Sequence, residues 1–139
     1  MRRFRVPIAW GAAAMLLLAA IGKMAGPVPA AHLMMESGLF TMPVAVVVLW
    51  LLVAAEASVA LLLVVPKTRA SGLLGASVLG AGIFGFGVWR MLQGIEAPCA
   101  CFGPFVSLSP LTSASIGAVL SGLAFAALGS DASPELVPA

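Results

Sequence analysis

The residues of this chain best suited to chemistry are its two cysteines, which sit together as Cys99-Ala100-Cys101 and are followed by Phe102-Gly103-Pro104. A disulfide across one intervening residue closes a very small ring. Departures from relaxed disulfide geometry make such a bond easier to reduce, so the pair suits exchange better than stapling. Neighbouring thiols pass a disulfide to a partner by thiolate attack through a mixed disulfide. The plainer alternative is a pair of inert thiols or a local brace, because C-x-C is less diagnostic than the thioredoxin-type C-x-x-C. Two thiolates leave a tetrahedral zinc ion two ligands short. Copper(I) is a third reading, since His32, Met34 and Met35 add soft ligands in a neighbouring connection.

Glu56 is the second feature that demands a chemical reason. It interrupts an otherwise uncharged stretch, and an ionisable group inside hydrocarbon costs about 3 kcal/mol on insertion scales unless paired or hydrated. It should therefore face a protein interior. Lys23 and Arg90 are its candidate partners, although both lie near helix ends, whereas Glu56 lies about 20 Å along its helix at the usual rise. A long lysine can reach inward. A protonated Glu56 bonded to a helix carbonyl is the competing account.

The elements that must position these groups follow from composition. Of 139 residues 62% are hydrophobic and 9% charged, against about 25% charged in a soluble domain. The sequence predicts an all-α integral membrane four-helix bundle, a single domain over 1–139, with helices at about 7–25, 43–65, 70–92 and 109–129. Four spans of about 20 residues leave only short connections. The second segment stops at Pro66, where the amide donor is lost. The third is crowded with glycines, from Gly72 through Gly80, Gly82 and Gly85 to Gly87, which suits close helix packing in lipid. The fourth opens with Ser109 as N-cap and Pro110 in the first turn, and Gly117 and Ser121 give it a small-xxx-small spacing. Trp10, Trp50 and Trp89 are candidate interface anchors, with Trp50 fitting least well.

Charge sets the orientation. Arg2, Arg3, Arg5, Lys67 and Arg69 fall on one side of the four segments, five of the seven basic residues, and that side is expected to be cytoplasmic. The loops 23–42 and 92–108 then face outward, which puts both thiols in an oxidising compartment of a bacterial inner membrane protein. A cleaved signal peptide ending near Val28-Pro29-Ala30 is the alternative for segment one. The tail from Ser130 reads as a short disordered end. A net charge of +2 without a basic stripe gives no support for nucleic-acid binding.

Four spans, Gly22-Lys23 closing the first, Glu56 in the second and Cys99-Ala100-Cys101-Phe102-Gly103 before the fourth together resemble the methylamine-utilisation MauE family of DoxX-like membrane proteins. The C-x-C-F-G turn is the most specific part, and the resemblance extends from about Trp10 to Leu128. Family members commonly carry glycine where this chain has Ala100. The resemblance implies a periplasmic thiol-disulfide pathway, with a thioredoxin-like partner and a disulfide-rich client such as methylamine dehydrogenase. In that picture Cys99 and Cys101 exchange, and Lys23, Glu56 and Arg90 shape a polar site.

Two other classes of function compete. One is a non-catalytic assembly factor that docks a partner on its glycine-rich third helix, around Gly80 and Gly82. The other is copper(I) binding. If electrons pass on to a membrane quinone, apolar and aromatic helix faces near the outer leaflet must form its pocket, and the sequence gives no direct signal for one.

Overall fold

The computed structural model describes residues 2–129, so the tail from Ser130 lies outside the described residues. It contains five α-helices: α1 (Arg2–Ala25), α2 (Pro27–Met35), α3 (Met42–Val64), α4 (Arg69–Leu92) and α5 (Pro110–Gly129). All but α2 are long and apolar enough to cross a membrane. Their outward faces carry large apolar side chains, including Leu18, Leu51, Leu61, Val78 and Phe125, each at least 64% exposed. Water would penalise that surface and lipid does not, so the chain is an all-α integral membrane bundle.

Local chemistry explains the boundaries. Val65 is extended because it precedes Pro66, and α3 ends there. Thr68 and Arg69 then cap the freed carbonyls of α3 through bonds to Leu62 and Leu63. Ser109 caps α5, its hydroxyl accepting the Thr112 amide at 3.2 Å, with Pro110 as the first helical residue. Two boundaries differ from the sequence reading. Helix α1 starts at Arg2 rather than near Pro7, because a proline in the second turn removes only one early hydrogen bond. The connection 23–42, read as a loop, holds α2, which begins at Pro27 with Gly26 as its N-cap.

Inside the bundle the buried positions recur at helical spacing. On α1 they are Ala9, Ala12, Ala13, Leu16, Ala19 and Ala20, and the same stripe ends on Lys23. On α3 they are Ala45, Leu49, Val53, Glu56, Ala60 and Leu63. On α4 the stripe through Leu73, Ala76, Gly80 and Gly87 ends on Arg90. Lys23, Glu56 and Arg90 thus each fall on the buried face of their helix. Small residues recur on these faces, alanine on α1 and glycine with alanine on α4, which lets the helices approach closely where lipid supplies no hydrophobic drive for association.

Two apolar clusters result. The larger joins α1, α3, α4 and α5 around Leu16, Leu63, Leu73 and Leu120. The smaller joins α2 to the first half of α3 around Ala31, Met34, Ala45 and Leu49. Glu56 lies on α3 between the two. Helix α4 packs most extensively on α5. A Cβ at Gly80 would stand 2.7 Å from the Ser121 amide nitrogen, and one at Gly117 would stand 2.7 Å from the Gly80 carbonyl oxygen. Gly80 is therefore committed to α5 inside the chain, which removes it as the docking surface the assembly-factor reading required. Gly82 and Gly85, by contrast, have open space where a side chain would grow.

This packing separates the glycines experimentally. Gly117→Leu should destabilise the bundle by about 1–3 kcal/mol or more through overpacking, whereas Gly85→Leu should stay within about 0.5 kcal/mol. Denaturant titration of the purified protein in detergent measures both.

Candidate functional site

Lys23 and Glu56 form a buried ion pair where the two clusters meet. The lysine Nζ donates to Glu56 Oε1 at 2.7 Å and to Oε2 at 3.0 Å, and both side chains are nearly inaccessible. The third ammonium hydrogen goes to the backbone carbonyl of Cys101. All three lysine donors are thereby used. The pairing left unsettled by sequence is possible because α1 ends beside the middle of α3, with α2 folded over that end. Glu56 stands fourteen residues past Met42, about 20 Å at helical rise.

The cysteine turn lies against the same end of α1. Residues 100–102 make one short 3₁₀ turn, and the Cys99 amide donates to the Leu108 carbonyl at 2.9 Å, which closes the loop at its base. The one left-handed residue of the turn is Gly103, at φ +82°. A Cβ there would overlap the Gly22 carbonyl, and a Cβ at Gly22 would overlap the Phe102 carbonyl. Both glycines are thus required by close backbone approach, and Gly103 by its conformation as well. Ala100 sits in the helical part of the turn, with no positive φ, so its backbone conformation does not require glycine.

The thiols are unbridged and differ in environment. Cys99 is fully buried, whereas Cys101 is partly exposed and faces a cavity between α3 and α4. Cys99 is more acidic than an ordinary thiol, at about 6. The hydrogen bond from the Cys101 thiol is the main cause. Burial opposes it, and the neighbouring Ser113 hydroxyl and the Arg90 charge help. Cys101 moves the other way, since its hydrogen bond to Cys99 holds its proton, and burial and the negative charge on Cys99 also disfavour a second thiolate. The pair holds one proton between two sulfurs, with the charge on Cys99.

Arg90 stands on the Cys99 side rather than joining Lys23 and Glu56. It is fully buried and donates to the carbonyls of Leu33, at 3.2 Å, and Ala97, at 2.7 Å. Its guanidinium lies 5.9 Å from the centre of the Phe86 ring. Among the described residues it has no carboxylate partner, so a Cys99 thiolate is the anion that its charge favours. Ser113, buried beside Cys99 with no conventional hydrogen bond, was missed by the sequence reading. It is the one hydroxyl on the buried stripe of α5, formed by Pro110, Ser113, Ala114, Gly117, Leu120, Ala124 and Ala127, and that periodicity was its available signal. For copper(I) the placement is unfavourable: His32 is exposed, whereas Met34 points into the interior.

The cavity beside Cys101 measures about 360 Å³ and is otherwise apolar, its walls including Phe40, Leu52, Gly82 and Phe86. Lys23 and Glu56 line the same corner as Cys101.

A membrane-embedded helical bundle that secures a C-x-C turn with a buried ion pair defines the class of this protein. The family described as "Methylamine utilisation protein MauE" matches residues 1–130, and the chain belongs to that family. No curated protein and no solved structure matches the chain.

The ion pair and the thiols each yield a measurement. Lys23→Met should cost about 3–5 kcal/mol by leaving Glu56 buried without its partner, and the double variant Lys23→Met with Glu56→Leu should regain most of that stability; unfolding curves of the three proteins check this. The rate at which Cys99 reacts with methyl methanethiosulfonate should fall as pH drops through about 6. In Cys101→Ala the midpoint should rise toward the ordinary cysteine value of about 8.5, because the stabilising thiol donor is gone.

Proposed function

We propose that Cys99 and Cys101 are a redox pair that exchanges a disulfide with a thioredoxin-like protein on the outer face of a bacterial inner membrane. The observation that carries this reading is the unequal treatment of the two sulfurs. Cys99 is buried and acidic, whereas Cys101 is partly open and has its carbonyl held by Lys23. In thiol-disulfide exchange the thiol of lower pKa leaves faster. A partner thiolate therefore attacks Cys101 of the Cys99–Cys101 disulfide, breaking the intramolecular bond, forming a mixed disulfide at Cys101 and releasing Cys99 as thiolate. The partner's second thiol then displaces Cys101. The partner leaves with a disulfide, and the Cys99–Cys101 pair keeps two electrons and the one proton of the partner's second thiol, which rests on Cys101.

Arg90 and Ser113 favour the departing Cys99 thiolate, and Lys23, fixed by Glu56, holds the turn so that Cys101 stays the accessible sulfur. The arrangement of basic residues supports the outer placement, since Arg5, Lys67 and Arg69 lie at the end of the bundle opposite the cysteine turn. The family description supports a place in methylamine utilisation, and within the proposed role a disulfide-rich enzyme such as methylamine dehydrogenase is the client.

The test is to trap the intermediate in membranes. Cys99→Ser should accumulate a mixed disulfide through Cys101, Cys101→Ser should accumulate far less, and the wild type should shift between oxidised and reduced forms on alkylation with and without dithiothreitol. Thiols that stay reduced throughout, with no trapped partner in either variant, would sink the reading.

A further inference from the structure

The chain has two cysteines in all, on one turn, and two thiols hold a single disulfide. Each exchange with a partner leaves them at the wrong oxidation level for the next. This chain has no second cysteine pair through which to relay electrons across the bundle, so another two-electron reactant must meet the same sulfurs. The cavity beside Cys101 is where it can do so.

Its location decides what can enter. Gly82 and Val78 on α4 form part of its wall and are exposed on the helix face that meets lipid. Gly82 lies ten residues before the end of α4 at Leu92, about 15 Å down the helix. An occupant therefore arrives through the hydrocarbon, between α3 and α4, and must be apolar over most of its surface. At about 360 Å³ the cavity falls within the size range of small-molecule sites, which begin at about 300 Å³. Water-soluble electron carriers do not suit such walls.

The inner corner decides the chemistry. There the Cys101 thiol, the Lys23 ammonium and the Glu56 carboxylate converge on otherwise apolar space, and Phe40 and Phe86 supply aromatic surface. An acyl chain gains nothing from an ammonium, a carboxylate and a thiol. A flat ring carrying carbonyl oxygens does, because it can take electrons and a proton from the Cys101 thiol, and the Lys23 charge, although its three hydrogens are bonded to Glu56 and the Cys101 carbonyl, favours the negative charge that builds on those oxygens. We propose that this cavity binds a lipid-soluble quinone, which reoxidises the Cys99–Cys101 pair. The inference rests on the exchange reading above and supplies its electron acceptor.

The Cys101 S–H bond breaks and one S–S bond forms to the Cys99 thiolate, releasing two electrons and one proton. Both electrons and that proton go to the quinone, and a second proton, taken up from water, completes the change of its two carbonyls into the two hydroxyls of a quinol. Cys101 stands at the cavity, and Cys99 closes the disulfide from behind.

The experiment uses the full chain, reduced and then freed of reductant, in lipid nanodiscs without quinone. Ubiquinone-1 is the probe, because its fully substituted ring disfavours addition of a thiol to carbon. Quinol formation is followed by absorbance and thiol state by alkylation, and a parallel arm measures exchange of the oxidised pair with reduced thioredoxin. Wild type should form one quinol per cysteine pair, with saturation in ubiquinone-1. A side chain at Gly82 grows without backbone collision into a cavity-lining position. The ratio of quinone rate to exchange rate should therefore fall at least about tenfold in Gly82→Phe. In Gly85→Phe, which is equally free of collision and lies away from the cavity, the ratio should keep its wild-type value.

Exchange with thioredoxin but no saturable quinol formation, the result if a lipid tail fills the cavity, overturns the quinone site and leaves the exchange reading standing. Equal ratios in wild type and Gly82→Phe also overturn it. Quinol formation that persists in Cys99→Ser overturns it as well, since no disulfide can then form within the chain. Loss of thioredoxin exchange in the wild type overturns the exchange reading and this inference with it.

Discussion

The ion pair between Lys23 and Glu56 is the constraint on which the rest of this structure depends. Burying two charges has a large desolvation cost, offset only by good geometry and further hydrogen bonds. Here the carboxylate accepts from the lysine through both oxygens, and the remaining lysine donor goes to the Cys101 carbonyl. One contact set thus ties together α1, α3 and the cysteine turn, which are far apart in sequence. Neutralising the charges with apolar groups would satisfy the membrane equally well and would leave the turn unheld. The pair is better understood as a device for position than as a source of stability.

Position has chemical consequences because the two sulfurs lie within interaction range of each other and of opposite neighbours. Arg90 and Ser113 stand with Cys99, while Lys23 and Glu56 stand with Cys101. The ion pair is nearly neutral as a unit, so it fixes Cys101 without committing it to a charge. Arg90 has no carboxylate among the described residues to cancel it, and its field falls on Cys99. The difference in acidity between the two thiols comes first from the hydrogen bond between them, and the Ser113 hydroxyl and the Arg90 charge beside Cys99 add to it.

Much of this was legible in the sequence. The four spans follow from length and apolarity, Pro66 and Ser109 mark helix ends, and the need for Glu56 to face inward follows from the cost of a charge in lipid. What periodicity adds is that Lys23, Glu56 and Arg90 each complete the buried stripe of their own helix. Which cation met Glu56 could not be read in the same way. Lys23 and Arg90 both sit near helix ends, and the choice depends on where α1 stops relative to α3. That offset is set by α2, a nine-residue helix too short and too weakly patterned to stand out from a proline-containing connection. The cavity was illegible for a similar reason: Gly82 looks like its neighbours Gly80 and Gly85 in sequence, and only the path of α5 distinguishes the three.

The same offset sets the surroundings of the Cys101 sulfur. Because α1 ends beside the middle of α3, the cysteine turn is drawn down to meet it, and Gly22 and Gly103 permit the backbone contact that a side chain at either would prevent. The turn is consequently recessed below the rim formed by the start of α3 and α2. Had α1 continued to the level of Met42, the thiols would sit at the rim, open to water and far from any lipid-facing gap. The recess instead places Cys101 between the end of the bundle, where a protein can approach, and the side of the bundle, where α3 and α4 part around Gly82. A short helix and a close glycine crossing therefore determine which molecules can reach the sulfur, and the two directions of access are separated by the turn itself.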